Sequence, residues 1–338
     1  MSAKDRYSIE NGLPREGRCL FQILLTTRLL ALMLGTLLLA NRLLASDKAA
    51  DALETASPTT TETPTAAQIF ERVINTYRNM PTYQSDGVVL SEIDTGNETI
   101  HTQTAFTICL KKPNHYLIRW TQKNATAPNS SQQGAVWSDG KHPFLYLGAM
   151  NAYGKMGSDP MALGGAMGVS GGCVYTIPAL YLLIFKEQLH PFHRLQEPKI
   201  EAGENIDDEE CYVISGTSTI SSKETFWISK SRSLVLKYRR SLTPPEGGVI
   251  IPEMTDQQVA EALQGLGQEI TAESMDKMRT LMNQSKALFE MEQMKGSVTE
   301  SHGNISSPDL KPENFQFSIP EGTELKESLL SGMLGEGE

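Results

Sequence analysis

The chain has 338 residues, of which 39% are hydrophobic and 21% charged, the balance of an ordinary globular protein with one large or two small domains. Residues 1–46 hold six Lys/Arg against three Asp/Glu, so the remainder has 30 − 6 = 24 basic and 40 − 3 = 37 acidic residues, a net of −13. So acidic a body argues against nucleic acid as a partner, because phosphate binding needs clustered cations.

The first fifty residues carry a targeting pattern. Arg15, Arg18 and Arg28 precede an apolar run from Leu29 to Ala40, followed by small residues at Ala45, Ser46, Ala49 and Ala50. A bilayer span needs roughly 20 apolar residues, and extending the run upstream places Arg28 near mid-membrane at a high cost. Residues 1–46 therefore read as a secretory signal peptide, with a retained N-terminal membrane anchor as the alternative. Cys19 precedes the apolar run, so it is not placed as a lipid-acceptor cysteine. Either reading makes the protein exported or periplasmic. Residues 47–64, rich in Ala, Thr, Glu and Pro, read as a disordered linker.

Order is predicted to begin at Thr65. Thr65 and Gln68 make a capping-box pattern, and Ile69, Val73, Ile74 and Tyr77 form one stripe at helical spacing up to Pro81. Strands follow. Val88 and Leu90 start one that ends near Asp94-Thr95-Gly96-Asn97. Thr102, Thr104, Phe106, Ile108 and Leu110 alternate against the residues between them over ten positions, which is a strong strand signal. Tyr116, Ile118 and Trp120 alternate with Leu117, Arg119 and Thr121. Val136-Trp137-Ser138 and Phe144–Leu147 flank the turn pair Asp139-Gly140 as a hairpin.

A glycine-rich stretch, 148–173, interrupts the strands and carries Met150, Met156, Met161 and Met167. It reads either as a surface loop or as a mobile flap whose methionines adapt to an apolar guest. Pro178–Phe185 is a short apolar helix. Strands resume at Lys199–Ala202, Cys211–Ser215, Thr225–Ser229 and Leu234–Arg239, and a final one is expected at Phe315–Ser318. Between the last two lies a helical insertion, 254–294, with a second capping pattern at Thr255 and Gln258. Its stripes are Val259, Leu263, Leu266 and Ile270, then Met275, Met278, Met282 and Phe289. Residues 327–338 read as a flexible tail, which leaves 65–326 as one domain.

The order of these features resembles the LolA-like lipoprotein-carrier superfamily, including its outer-membrane lipoprotein-sorting relatives. The residues that carry the likeness are the capped helix, the turn Lys112-Pro113-Asn114-His115-Tyr116 with Arg119-Trp120 beyond it, the hairpin Ser138-Asp139-Gly140-Lys141, and Phe315-Gln316-Phe317 before Pro320. It covers about 65–240 and 297–325. The resemblance implies an α+β fold, a curved antiparallel sheet forming an incomplete β-barrel wrapped around helices, LolA/LolB-like. It implies a concave face that holds acyl chains, and makes Arg119 the candidate for the arginine that engages the lid. The stretches 148–173 and 254–294 depart from the family's pattern.

The candidate ligand-binding wall is Phe106, Ile108, Leu110, Tyr116, Ile118, Trp120, Trp137, Tyr146, Trp227, Leu234 and Leu236. A curved sheet with more apolar surface than its helices cover leaves room for a hydrocarbon. The expected partners are lipid or lipoprotein acyl chains, with an envelope protein docking on 254–294 and membrane association through the N-terminal segment as further possibilities.

Signals for catalysis are poor, and no catalytic residue, cofactor or metal is assigned. His190 and His193, with Glu187 nearby, lack a third ligand and flank Pro191. Cys173 follows two glycines without the histidine-bearing motif of a known cysteine hydrolase, and no P-loop occurs. Asp207-Asp208-Glu209-Glu210 reads as a solvated acidic turn, with calcium as the minor alternative. Two of Cys109, Cys173 and Cys211 pair in an oxidising compartment, or all three are small buried side chains. Asn97, Asn124, Asn129, Asn283 and Asn304 begin glycosylation sequons that matter only in a eukaryotic source. The function that results is a non-catalytic periplasmic lipid or lipoprotein carrier; the rivals are an envelope sensor that binds a protein and a hydrolase acting in the cavity.

Overall fold

The computed structural model describes residues 64–94, 99–124, 127–182, 190–218, 221–243, 255–265, 269–289, 295–327 and 329. The expected leader, all but the last residue of the linker, nearly all of the tail, Glu187 and Asn97 lie outside them. Among the described residues no helix is long and apolar enough to cross a membrane.

Helix α1 (Ala66–Asn79) forms where its caps and stripe demand. The Thr65 hydroxyl accepts from the Gln68 amide at 3.3 Å, and the Gln68 side chain accepts from the Thr65 amide at 2.9 Å. Ile69, Phe70, Val73 and Tyr77 are buried along one face. At the other end the Lys112 ammonium donates to the carbonyls of Tyr77, Arg78 and Met80 at 2.7, 2.6 and 3.0 Å. A cation on the last orphan carbonyls satisfies them and complements the helix dipole.

The sheet is built from β1 (Thr82–Asp94), β2 (Thr99–Lys111), β3 (His115–Asn124), β4 (Ala127–Asp139), β5 (Pro143–Leu147) and β6 (Ala152–Lys155). After two helices come β7 (Gln196–Ile200), β8 (Glu204–Ile206), β9 (Glu209–Ser218), β10 (Ser221–Ser229) and β11 (Val235–Ser241), then β12 (Lys295–Ser306) and β13 (Glu324–Leu325). These thirteen strands make one open sheet in the order β13-β6-β5-β4-β3-β2-β1-β12-β11-β10-β9-β7, with β8 beside β9. Every pairing is antiparallel except β13 on β6. The arrangement is the incomplete barrel that the sequence implied.

Two elements differ from the sequence reading. The expected last strand at Phe315–Ser318 is absent: Pro312–Phe315 form a 3-10 turn, and the strand that completes the sheet is β12, between β1 and β11. Its buried positions are the polar residues Glu300 and His302, with only Val298 apolar on the same side, so it lacks the apolar alternation that marks a strand. The glycine-rich stretch is not a surface loop. It supplies β6, helix α2 (Asp159–Val169) and a turn into helix α3 (Thr176–Tyr181). In α2, Met161, Ala162, Leu163, Gly164, Ala166 and Gly168 are buried.

Helices α1, α2 and α3 share one face of the sheet. Their side chains and those of β1–β6 and β9–β11 merge into a single core. Phe192, in the 3-10 turn Pro191–Arg194, stacks on Phe70 of α1 (centroids 4.2 Å) and meets Phe226 of β10 edge-on at 5.1 Å. His190, in the same region, is 7% exposed with neither ring nitrogen hydrogen-bonded, and burial pulls its pKa down to about 4.

The opposite face carries a second, smaller cluster. Leu117, Ala135, Trp137 and Tyr146 lie there, with Phe144, Tyr153 and Phe317 against them. Phe317 comes from the C-terminal segment, 5.1 Å from the Trp137 ring and 5.2 Å from Tyr146. Leu329 packs into the main core. The helical insertion is α4 (Asp256–Gly265) and α5 (Ala272–Phe289), packed on each other and tied by Arg279 to Asp256 and Asp276 at 2.7 Å each.

Candidate functional site

The face under the helices is the candidate site. Register fixes which side chains point into it. Phe106 pairs with Trp120, Ile108 with Ile118 and Leu110 with Tyr116 across β2 and β3, and Ile118 pairs with Val136 and Val136 with Leu145 further along. All of these are 0–4% exposed. Gly134 makes the wall possible: a Cβ there would stand 2.1 Å from the Trp120 ring, so only glycine lets the indole lie flat against β4. Leu234 and Leu236 are buried in the same core.

Two of the eleven wall candidates face the other way. Trp137 pairs with Leu117 and Tyr146 with Ala135, so both belong to the outer cluster beneath Phe317. Val136-Trp137 and Phe144–Leu147 are apolar at consecutive positions, which hides the parity on which a face assignment rests. Trp227 is buried in the main core cluster with Leu234 and Leu236, with Lys237 4.3 Å over its ring and Glu204 accepting from its indole at 2.8 Å.

Arg119 does not reach the helices. It is exposed on the outer face and donates to Thr107, its cross-strand partner, at 3.4 Å. The arginine that does enter the core region is Arg194, 3.9 Å from the buried Glu224 and 4.8 Å over the Tyr175 ring. Glu224 also accepts from the Tyr238 hydroxyl at 2.7 Å. Nothing in the local sequence around Arg194 distinguishes it from a surface arginine.

The turn Lys112–Tyr116 joins the covering elements to the sheet. Lys112 holds the end of α1, while Asn114 and the Tyr116 hydroxyl each donate to the Asp159 carboxylate in the first turn of α2 at 2.9 Å. Lys111 donates to the Leu310 carbonyl at 2.9 Å, and His115 packs edge-on against Phe315 at 5.6 Å. Burial, with the Asp159 charge beside it, raises the Tyr116 pKa, so this hydroxyl stays a donor.

A polar group interrupts the apolar wall. Glu300 and His302 of β12 stand opposite Val89 and Gly87 of β1. Thr176, at the start of α3, donates to Glu300 at 2.7 Å. Cys173 is fully buried, and burial followed by the charge of Glu300 pushes its thiol far up, so the thiolate a hydrolase needs is strongly disfavoured. All three cysteines in the described residues are unpaired thiols. His190 and His193 lie 5.6 Å apart between ring centroids, and among the described residues no three His, Cys, Asp or Glu side chains group as a metal site. Asp207 and Asp208 form the left-handed two-residue turn between β8 and β9, while Glu209 leaves it to pair with Arg232, which pulls its pKa down to about 2.

No family pattern and no curated protein sequence matches the chain. Several solved structures do. LprF from Mycobacterium bovis is 11% identical over 76% of this chain and 96% of its own, with a TM-score of 0.34. The lipoprotein LppX from Mycobacterium tuberculosis is 10% identical over 72% and 95%, with a TM-score of 0.34. A LolA superfamily protein from Nitrosomonas europaea is 12% identical over 75% and 99%, with a TM-score of 0.27. The likeness at these values concerns the fold alone.

Proposed function

We propose that the protein is a non-catalytic carrier that takes an acyl chain against the inner face of β2–β5, with helix α2 as the element that moves aside. The inner wall is covered by the protein's own helices in this form, so a guest enters by displacing cover rather than by filling an open groove.

The observation that carries this reading is the composition of that cover. Helix α2 holds Gly164, Gly165 and Gly168 within eleven residues. Each costs about 1 kcal/mol against alanine in a helix. The helix therefore owes its order to its ends and to packing, where Met161 and Met167 offer adaptable surface. An acyl chain laid on the exposed wall gains about 0.8 kcal/mol per buried CH₂, enough over a long chain to replace those contacts. The raised thiol of Cys173 weighs against the hydrolase reading. The reading places the protein in the cell envelope, with residues 1–46 as its export signal or anchor and the α4–α5 hairpin as the surface for an envelope partner.

Trp120→Asp tests the wall directly. It should weaken uptake of a fluorescent fatty acid by about tenfold or more, measured where the variant is still folded. Loss of uptake only in step with loss of folded protein would make Trp120 plain core.

A further inference from the structure

The inner face holds a set of buried polar atoms that the described residues leave incompletely paired. Among the described residues both ring nitrogens of His302 and one oxygen of Glu300 have no aligned hydrogen-bond partner, and the hydroxyls of Tyr83 and Ser85 have none beyond each other. His302 and Glu300 approach at 3.0 Å between Nε2 and Oε1 without the alignment of a hydrogen bond. Tyr83 and His302 have side chains fully buried, while Ser85 and Glu300 are 3% exposed. The four lie on the inward positions of the adjacent strands β1 and β12, where Gly87 between them carries no side chain. Burial raises the pKa of both Tyr83 and Cys173 most; the Ser85 hydroxyl then lowers that of Tyr83, and the charge of Glu300 raises both further.

Buried donors and acceptors are almost always paired, and each orphan costs free energy. Atoms left open by the described residues on the inward side of two paired strands therefore point to a place for a polar group. The set pairs one carboxylate and a histidine with two hydroxyls, and no lysine or arginine forms an ion pair with Glu300 among the described residues. A hydroxyl fits it, because it donates to Glu300 and accepts from Tyr83, Ser85 or His302. A phosphate or carboxylate does not fit, because it would face Glu300 in a medium of low dielectric.

We propose that Tyr83, Ser85, Glu300 and His302 form the head-group end of the site and select an uncharged, hydroxyl-bearing acyl lipid of the acylglycerol class over an anionic one. This rests on the carrier reading above and specifies its ligand.

The test uses the whole protein and three probes of one chain length: monooleoylglycerol, oleate and oleylamine. Monooleoylglycerol should bind about tenfold or more tighter than oleate, the scale of one hydrogen bond to a buried charge. In Glu300→Gln that preference should fall to about threefold or less, with the thermal midpoint recorded alongside. If Glu300→Gln does not fold, Ser85→Ala replaces it, and should lose affinity for monooleoylglycerol alone. Equal binding of all three probes to the natural protein, or a preference for the amine, overturns the head-group assignment and leaves the carrier reading standing. Binding of none of them overturns both.

Discussion

Replacing Phe192 with alanine is expected to lower the unfolding free energy by about 3–5 kcal/mol, read as a shift of the urea midpoint at constant slope. The residue is 5% exposed and sits where α1 meets the far half of the sheet. It stacks on Phe70 and meets Phe226 edge-on, so its removal empties a ring's volume between a helix and β10. The neighbouring Arg194 is carried on the same short turn and pairs with Glu224, so loosening that turn also strains a buried ion pair. A loss under about 1 kcal/mol would mean that the two halves of the sheet are held together elsewhere.

Asp159→Ala should cost about 2–4 kcal/mol and release α2 selectively. The substitution leaves the Tyr116 hydroxyl and the Asn114 amide without their acceptor, at about 1–3 kcal/mol for a buried orphan. It also removes the acid from the first turn, where a negative charge favours the helix dipole by about 0.3–1 kcal/mol. A helix with three glycines has little propensity to fall back on. Hydrogen exchange should therefore quicken across 159–169 while β2 and β3 keep their protection, and uptake of an acyl probe should become faster. Uniform loss of protection over the whole sheet would show that α2 is a fixed part of the core.

Much of the fold is legible in local chemistry. Thr65 and Gln68 announce the start of α1, and the alternation from Thr102 to Leu110 announces β2, because both signals depend only on neighbours in the chain. The site is less legible. Trp137 and Tyr146 fall on the wrong face, since strands that are apolar on both sides do not reveal their parity until the register with β3 is known. Strand β12 is hidden because its inward side chains are Glu300 and His302, and burial of polar residues is a property of the assembled barrel. Arg194 rather than Arg119 reaches the core region for the same reason, since tertiary packing decides which arginine is drawn in. The turn Lys112–Tyr116 is visible in sequence as a motif, and its work is to hold α1, α2 and the C-terminal segment against one end of the sheet.

The central claim is that the wall formed by Phe106, Ile118 and Trp120 receives a foreign hydrocarbon when α2 gives way. Native mass spectrometry of the protein as purified from its cells, followed by organic extraction, tests it most directly. The claim predicts a bound species that leaves on extraction and contains at least one long acyl chain. A protein that emerges at its bare polypeptide mass, yields no lipid on extraction and takes up none when offered it would contradict the claim.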